Sequence, residues 1–266
     1  MATAAQMYDE RQMSIGRVFQ RAFSAVSLNP GVILGLALLI GALPSLFMTY
    51  LFFRLGLTDP ATLRNGGLSQ SGFLWGVFFT SMFTFVISAL VQGALTRATV
   101  SANEGQRASF GESLAAAFSV LLPLIGLSLL WAFGIGIGFI LLVVPGIILM
   151  MMWAVAVPSL VVERQGVFAA FSRSAELTKG AKWKIFGLCL LLLVIYWALS
   201  LIIGLAGLGT YRPTTNTTFA VTNVVGSVII GTIFNTLWGT IQSSLYIELR
   251  QWKEGDSADN LAEVFA

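Results

Sequence analysis

An all-α polytopic membrane protein is the fold class this sequence predicts, and three observations predict it. Of 266 residues, 56% are hydrophobic and only 10% are charged, with a mean hydropathy of +0.84, whereas soluble domains carry about 25% charged residues. Uncharged apolar stretches recur along the chain, each with the roughly 20 residues that a helix needs to cross the hydrocarbon layer. The phrase Gly-Leu-x-Leu-Leu stands three times, at Gly35, Gly126 and Gly187, and each copy follows a phenylalanine by the same interval, after Phe19, Phe110 and Phe171.

In chain order, an amphipathic segment comes first. Ile15, Phe19, Ala22, Phe23 and Val26 fall on one helical face, and Arg17, Gln20, Arg21 and Ser24 on the other. It lacks the apolar centre of a cleavable secretory signal, and Asp9 and Glu10 argue against a mitochondrial presequence. Crossings are expected over 31–53 and 72–95. A second amphipathic segment, Ser-Phe-Gly-Glu-Ser-Leu from Ser109, runs almost directly into an uncharged stretch between Glu112 and Glu163. That stretch is too long for one helix at about 1.5 Å per residue, so Gly134, Gly136, Gly138 and Pro145-Gly146 read as a hairpin region joining two crossings. In a third amphipathic segment Val167, Phe168, Phe171 and Ala175 oppose Arg173, Glu176 and Lys179. Crossings over 185–207 and 221–247 complete six.

The expectation is therefore one membrane domain over residues 1–266, written as three parallel units of about 13–97, 108–164 and 166–250. Each is a cytoplasmic interfacial helix followed by a crossing out and a crossing back, and a short tail covers 251–266. With this topology drawn, twelve Lys and Arg fall on the side of the termini and three, Arg54, Arg64 and Arg212, on the other. The positive-inside rule makes the side of the termini cytoplasmic.

Candidate sites follow from placement. Lys179, Lys182 and Lys184 surround Trp183 where the fifth crossing begins, and Arg17, Arg21 and Arg173 line the interfacial helices. Such a rim anchors a membrane protein, and it also suits anionic lipid headgroups. Within the crossings, Ser88 and Gln92 extend a stripe from Ser81 and Thr84, while Asn235 and Gln242 extend one from Ser227 and Gly231. These stripes serve either a polar path or hydrogen bonds between packed helices. Glu163 and Glu248 close the fourth and sixth crossings and are expected as end charges in water; brought together, they would form a carboxylate pair.

The chain has no His and one Cys, Cys189, which excludes a disulfide, a Cys/His zinc site or a His-based triad within one chain. No cofactor or metal is expected. No Asp, Glu, Lys or Arg lies in the middle of a crossing, which disfavours a proton-coupled pump, and a net charge of +3 gives no reason for a nucleic-acid partner. The expectation is a non-enzymatic protein whose interfacial helices and basic rim engage membrane phospholipid, with anionic lipid among the candidates, or a partner protein, either a second copy or another membrane protein. The alternative is a carrier or lipid-translocating protein with a polar path between crossings two and six.

Pro145-Gly146, Trp153, Pro158, Val161-Val162-Glu163, Arg173-Ser174, Leu177-Thr178, Gly180 and Trp183, with the weaker Tyr-Ile-Glu-Leu-Arg-Gln-Trp-Lys-Glu-Gly from Tyr246, resemble the membrane domain associated with glycerophosphoryl diester phosphodiesterases and its stand-alone bacterial relatives. The resemblance covers about half the chain. It implies a six-span bacterial inner-membrane protein concerned with glycerophospholipid or the envelope. It does not imply phosphodiesterase activity, which belongs to a separate soluble domain in the fused proteins, and it carries over no active-site residue.

Overall fold

The computed structural model describes residues 13–54, 70–209 and 216–264, so Asp9, Glu10, Arg11, Arg64 and Arg212 lie outside the described residues. Every element is helical. α1 spans Ile15–Leu28 and stops at Asn29 because Pro30 follows, and a residue before proline is pushed out of the helical region. Pro30 then sits in the first turn of α2, Pro30–Leu36, where its missing N–H costs nothing. The rod continues through a π-helical stretch, Ala37–Ala42, into α3, Leu43–Arg54. α4 spans Gln70–Asn103, α5 Phe110–Ser119 and α6 Leu121–Leu141. α7, Val143–Met152, and α8, Ala156–Glu163, share one crossing; α9 spans Val167–Thr178, α10 Lys182–Gly209 and α11 Asn216–Val264.

Five stretches among the described residues are long and apolar enough to cross a membrane: Pro30–Met48, Leu74–Asn103, Leu121–Leu141, Val143–Glu163 and Lys182–Ile202. The expected sixth crossing falls inside α11, where the side chains of 216–225 and of Ser227 lie outside the described residues. α11 has 49 residues, about 73 Å at 1.5 Å per residue, so the expected tail from 251 continues the helix as far as Val264.

The hairpin differs from the sequence expectation. Gly134, Gly136 and Gly138 do not bend the chain: α6 runs through all three, and the turn is the single extended residue Leu142. Two of the glycines instead let α7 approach. A Cβ on Gly134 would sit 2.4 Å from the Trp153 ring, and one on Gly138 would sit 2.9 Å from the Gly146 backbone. A small residue serves close packing in an apolar helix as readily as it serves a turn.

The short helices pack in a cyclic order. α5 lies on α4, α9 on α8 and α1 on α11, so each rests on the helix expected from the sequence as the returning crossing of the preceding unit, with the last leading back to the first. The three repeated glycines follow the same order: Gly35 faces Phe110, Gly126 faces Val167 and Gly187 faces Ile15. Phe110, Val167 and Ile15 are the first residues of α5, α9 and α1. Three apolar clusters occupy these junctions. One joins Val18 and Ala22 to Ile185, Leu188, Ile241 and Leu245; a second joins Ile33, Leu36 and Ala94 to Ala117; a third joins Leu124 and Leu127 to Leu160 and Ala170. The returning helices α4, α8 and α11 touch one another at the centre. This packing is consistent with an internal repeat.

The interfacial helices correct a further expectation. Phe19, Phe110 and Phe171 do not form the membrane-facing side; they pack inward, Phe171 with its ring centroid 4.6 Å from that of Trp153. Other aromatics face outward, Phe23 on α1, Phe118 on α5 and Phe168 on α9.

Candidate functional site

The helix ends nearest Ser14 and Glu248 hold a network of carboxylates and arginines. Glu248 on α11 is only 3% exposed. Its Oε1 accepts from Arg17 Nε at 2.7 Å and from the Ser14 backbone N–H at 3.2 Å, and Arg21 Nη2 lies 3.3 Å from Oε2. Arg17 and Arg21, four apart, share a face of α1, beside the face that buries Val18, Ala22 and Ala25. Docking that apolar face carries both guanidiniums onto α11. Water-facing end charge was the expectation for Glu248, and a lipid-directed basic face for the two arginines; all three turn into the protein.

Glu163 at the end of α8 is held in the same way. Arg173 Nε donates at 3.0 Å and the Tyr246 hydroxyl at 2.7 Å to Oε1, while Gln165 Nε2 donates at 3.1 Å to Oε2. Arg173 also donates to Glu254, which accepts from Arg250 at 2.8 Å. Burial alone would raise the Glu254 carboxyl, but the hydrogen bonds from Arg250 and Arg173 outweigh it and hold the group below its ordinary range. For Arg173 burial pulls the other way, and the bonds to Glu163 and Glu254 keep its guanidinium more firmly charged. Glu163 and Glu248 are thus engaged by separate arginines.

The signal for this arrangement was present in the sequence. Ser159-Leu160-Val161-Val162-Glu163 and Ser244-Leu245-Tyr246-Ile247-Glu248 share a register, and Arg173 and Arg21 each stand two residues after their unit's phenylalanine. The corresponding stretch of the first unit, Ala94-Leu95-Thr96-Arg97-Ala98, carries no acid, and Phe110 is followed at that interval by Glu112. Among the described residues no ion pair joins α4 to α5. Close packing replaces it: a Cβ on Gly93 would lie 2.8 Å from Leu124 and 3.2 Å from Ala117.

The lysine edge divides. α9 ends beside Gly180, whose φ of +91° suits glycine. Trp183 is 85% exposed, Lys179 is exposed and Lys182 half-buried. Lys184 turns inward, its Nζ donating to the Met13 carbonyl at 2.8 Å.

The membrane stripes border two cavities that share Ser88 as a lining residue. One, of about 210 Å³, is lined by Ser45, Thr84, Ser88, Thr232 and Asn235 among apolar groups. The other, of about 300 Å³, adds Gln92 and Gln242 to Trp131, Trp153 and Trp238. Gln242 Nε2 donates to the Ala154 carbonyl at 2.7 Å, and Asn235 Nδ2 to the Gly231 carbonyl. Ala154 lies in the break between α7 and α8, where the Met152 carbonyl accepts from Ser174 and Thr178. Gln242 thus bonds across elements, as the packing role expects, whereas Asn235 bonds only the backbone of its own helix and Gln92 makes no side-chain hydrogen bond among the described residues. No cluster of three His, Cys, Asp or Glu that would hold a metal occurs among the described residues.

A scan of family models and searches of curated proteins and solved structures find no match to this chain.

Proposed function

We propose that this chain is a non-enzymatic integral membrane protein that engages anionic phospholipid at the Lys179, Lys182 and Trp183 edge of its cytoplasmic side. The observation that carries this reading is a division of labour among the cations. Arg17, Arg21 and Arg173 are occupied by carboxylates and Lys184 by a carbonyl, whereas Lys179 and Lys182 make no hydrogen bond or ion pair among the described residues and stand beside an exposed indole. Lipid is the partner that suits two uncommitted cations next to an aromatic at headgroup depth. In this reading the protein has six crossings in three like units related by rotation about the membrane normal, with both termini cytoplasmic. The cyclic packing of the short helices supports the three units, and the charge asymmetry supports the orientation. A bacterial inner-membrane setting and kinship with the phosphodiesterase-associated membrane domain rest on the sequence resemblance alone, and a second copy or another membrane protein fits the same rim as a partner.

Each lysine at an anionic surface contributes about 1 kcal/mol, so the two together are worth roughly 30-fold in lipid affinity. The test is native mass spectrometry of gently extracted protein carrying Lys179→Glu with Lys182→Glu, beside Arg107→Glu with Arg164→Glu as a control of equal charge. Loss of anionic-lipid adducts from the lysine variant alone is the expected result; equal adducts in both overturn the reading.

A second reading, a carrier for lipid or a small polar molecule, is favoured by one observation: Gln92 and Asn235 border two cavities that have Ser88 in common as a lining residue. Gln92→Leu with Asn235→Leu should then abolish transport in proteoliposomes while preserving expression, and unaltered transport removes it.

A further inference from the structure

Among the described residues, the turn between α6 and α7 is the most exposed apolar segment. Ile140, Leu141, Leu142, Val143 and Val144 are 61% to 85% exposed. No polar side chain other than indole occurs from Leu129 through Pro158, so neither helix nor the turn offers a group that holds the tip in water. The other connections expected on that side are polar, Thr-Asp-Pro-Ala-Thr-Leu-Arg-Asn from Thr58 and Thr-Tyr-Arg-Pro-Thr-Thr-Asn from Thr210.

Length points the same way. α6 has 21 residues, about 31 Å at 1.5 Å per residue, against a hydrocarbon layer of about 30 Å. α10 starts at the corresponding break and has 28 residues, about 42 Å on the same scale. The second unit therefore ends where the hydrocarbon does, while the third extends past it.

The backbone sets how deep the tip can sit. Non-helical backbone exposed to lipid is not tolerated inside the hydrocarbon, because its polar groups find no partner there. Here the irregular stretch is one residue long, the Leu142 N–H is satisfied by the Gly138 carbonyl at 3.1 Å, and Pro145 removes one of the first donors of α7. The remaining end groups of both helices need water or an ester carbonyl.

We propose that this tip is a lipid-inserted surface whose partner is the ester and upper acyl-chain layer of the leaflet opposite the lysine edge. Its backbone lies at ester depth and its side chains among the chains, and the headgroup layer closes over the second unit. A molecule approaching from that side meets this unit only through lipid.

The test places cysteine at the tip, Leu142→Cys and separately Val144→Cys, in a Cys189→Ser background reconstituted in sealed vesicles. A membrane-impermeant maleimide should leave both unlabelled from either side, and labelling should appear only once detergent is added. A bimane attached at either position should be quenched strongly by a spin label high on the lipid chain, less by one near the chain end, and least by aqueous iodide. Labelling of the intact vesicles, or iodide as the strongest quencher, overturns the proposal, as does strongest quenching near the chain end. Detergent-dependent labelling checks that each cysteine is present and reactive.

Discussion

The junction between the third and first units and the junction between the first and second units do the same task with opposite chemistry. In the former, Arg17 and Arg21 on α1 clasp a buried carboxylate on α11; in the latter, α5 meets α4 through Gly93 and Ala117 without an ion pair among the described residues. Both present a short helix to the returning crossing of the neighbouring unit. The requirement is the docking, and charge complementarity is one of two ways of meeting it.

The two junctions should break differently. Replacing Arg17 and Arg21 together by Ala strips Glu248, 3% exposed, of both guanidiniums and leaves it the Ser14 N–H among the described residues. Removing the partners of a buried charge costs about 3–5 kcal/mol, which reversible unfolding in detergent would report as the largest loss in the set. Gly93→Leu attacks the other junction by crowding, for about 1–3 kcal/mol, and pH should leave its effect unchanged. A pH-dependent loss at Gly93 would mean that a charge pair operates there too.

The outer link through Glu254 offers a milder comparison. Its carboxyl is held below the ordinary value of 4.5 by Arg250 and Arg173 against the effect of burial. A depressed carboxyl contributes stability that is present above the unfolded value and is lost as pH falls through the folded one. Thermal midpoints of the parent and of Glu254→Gln should therefore differ at neutral pH and converge as acidity passes below about 4.5, the ordinary value. A difference that persists undiminished in acid would contradict the assignment. Smallest of all, Arg164 caps α8 at a φ of +51°. Arg164→Gly should gain up to about 1 kcal/mol by relieving left-handed backbone, read as a small rise in the same midpoint.

Much of this architecture was legible before any coordinates. Apolar run lengths placed the five helices long enough to cross a membrane among the described residues, and the equal spacing of Phe19, Phe110 and Phe171 from their glycines pointed to the like packing of Gly35, Gly126 and Gly187 on the first residues of α5, α9 and α1. Two features were read wrongly for a shared reason. Gly134 and Gly138 announce either a turn or a close approach, and local sequence does not reveal that Trp153 and Gly146 lie opposite. Likewise Arg17, Arg21 and Glu248 read as solvent charges because their partners stand more than 200 positions apart, at opposite ends of the chain. The matched Ser-Leu-x-x-Glu register of Glu163 and Glu248 was the available clue. Lys179 and Trp183 stayed exposed, as their place beside a helix break suggests, while Lys182 is half-buried and Lys184 turns inward to the carbonyl of Met13.

Cross-linking of paired cysteines tests the cyclic order most directly. In a Cys189→Ser background, Gly35→Cys should be bridged by a short bis-maleimide to Phe110→Cys, Gly126→Cys to Val167→Cys and Gly187→Cys to Ile15→Cys, each recovered as a linked peptide, while mismatched pairs such as Gly187→Cys with Phe110→Cys should stay apart. Efficient linkage of the mismatched pairs, or failure of the Ile15 and Gly187 pair alone, would show that the last unit does not return to the first.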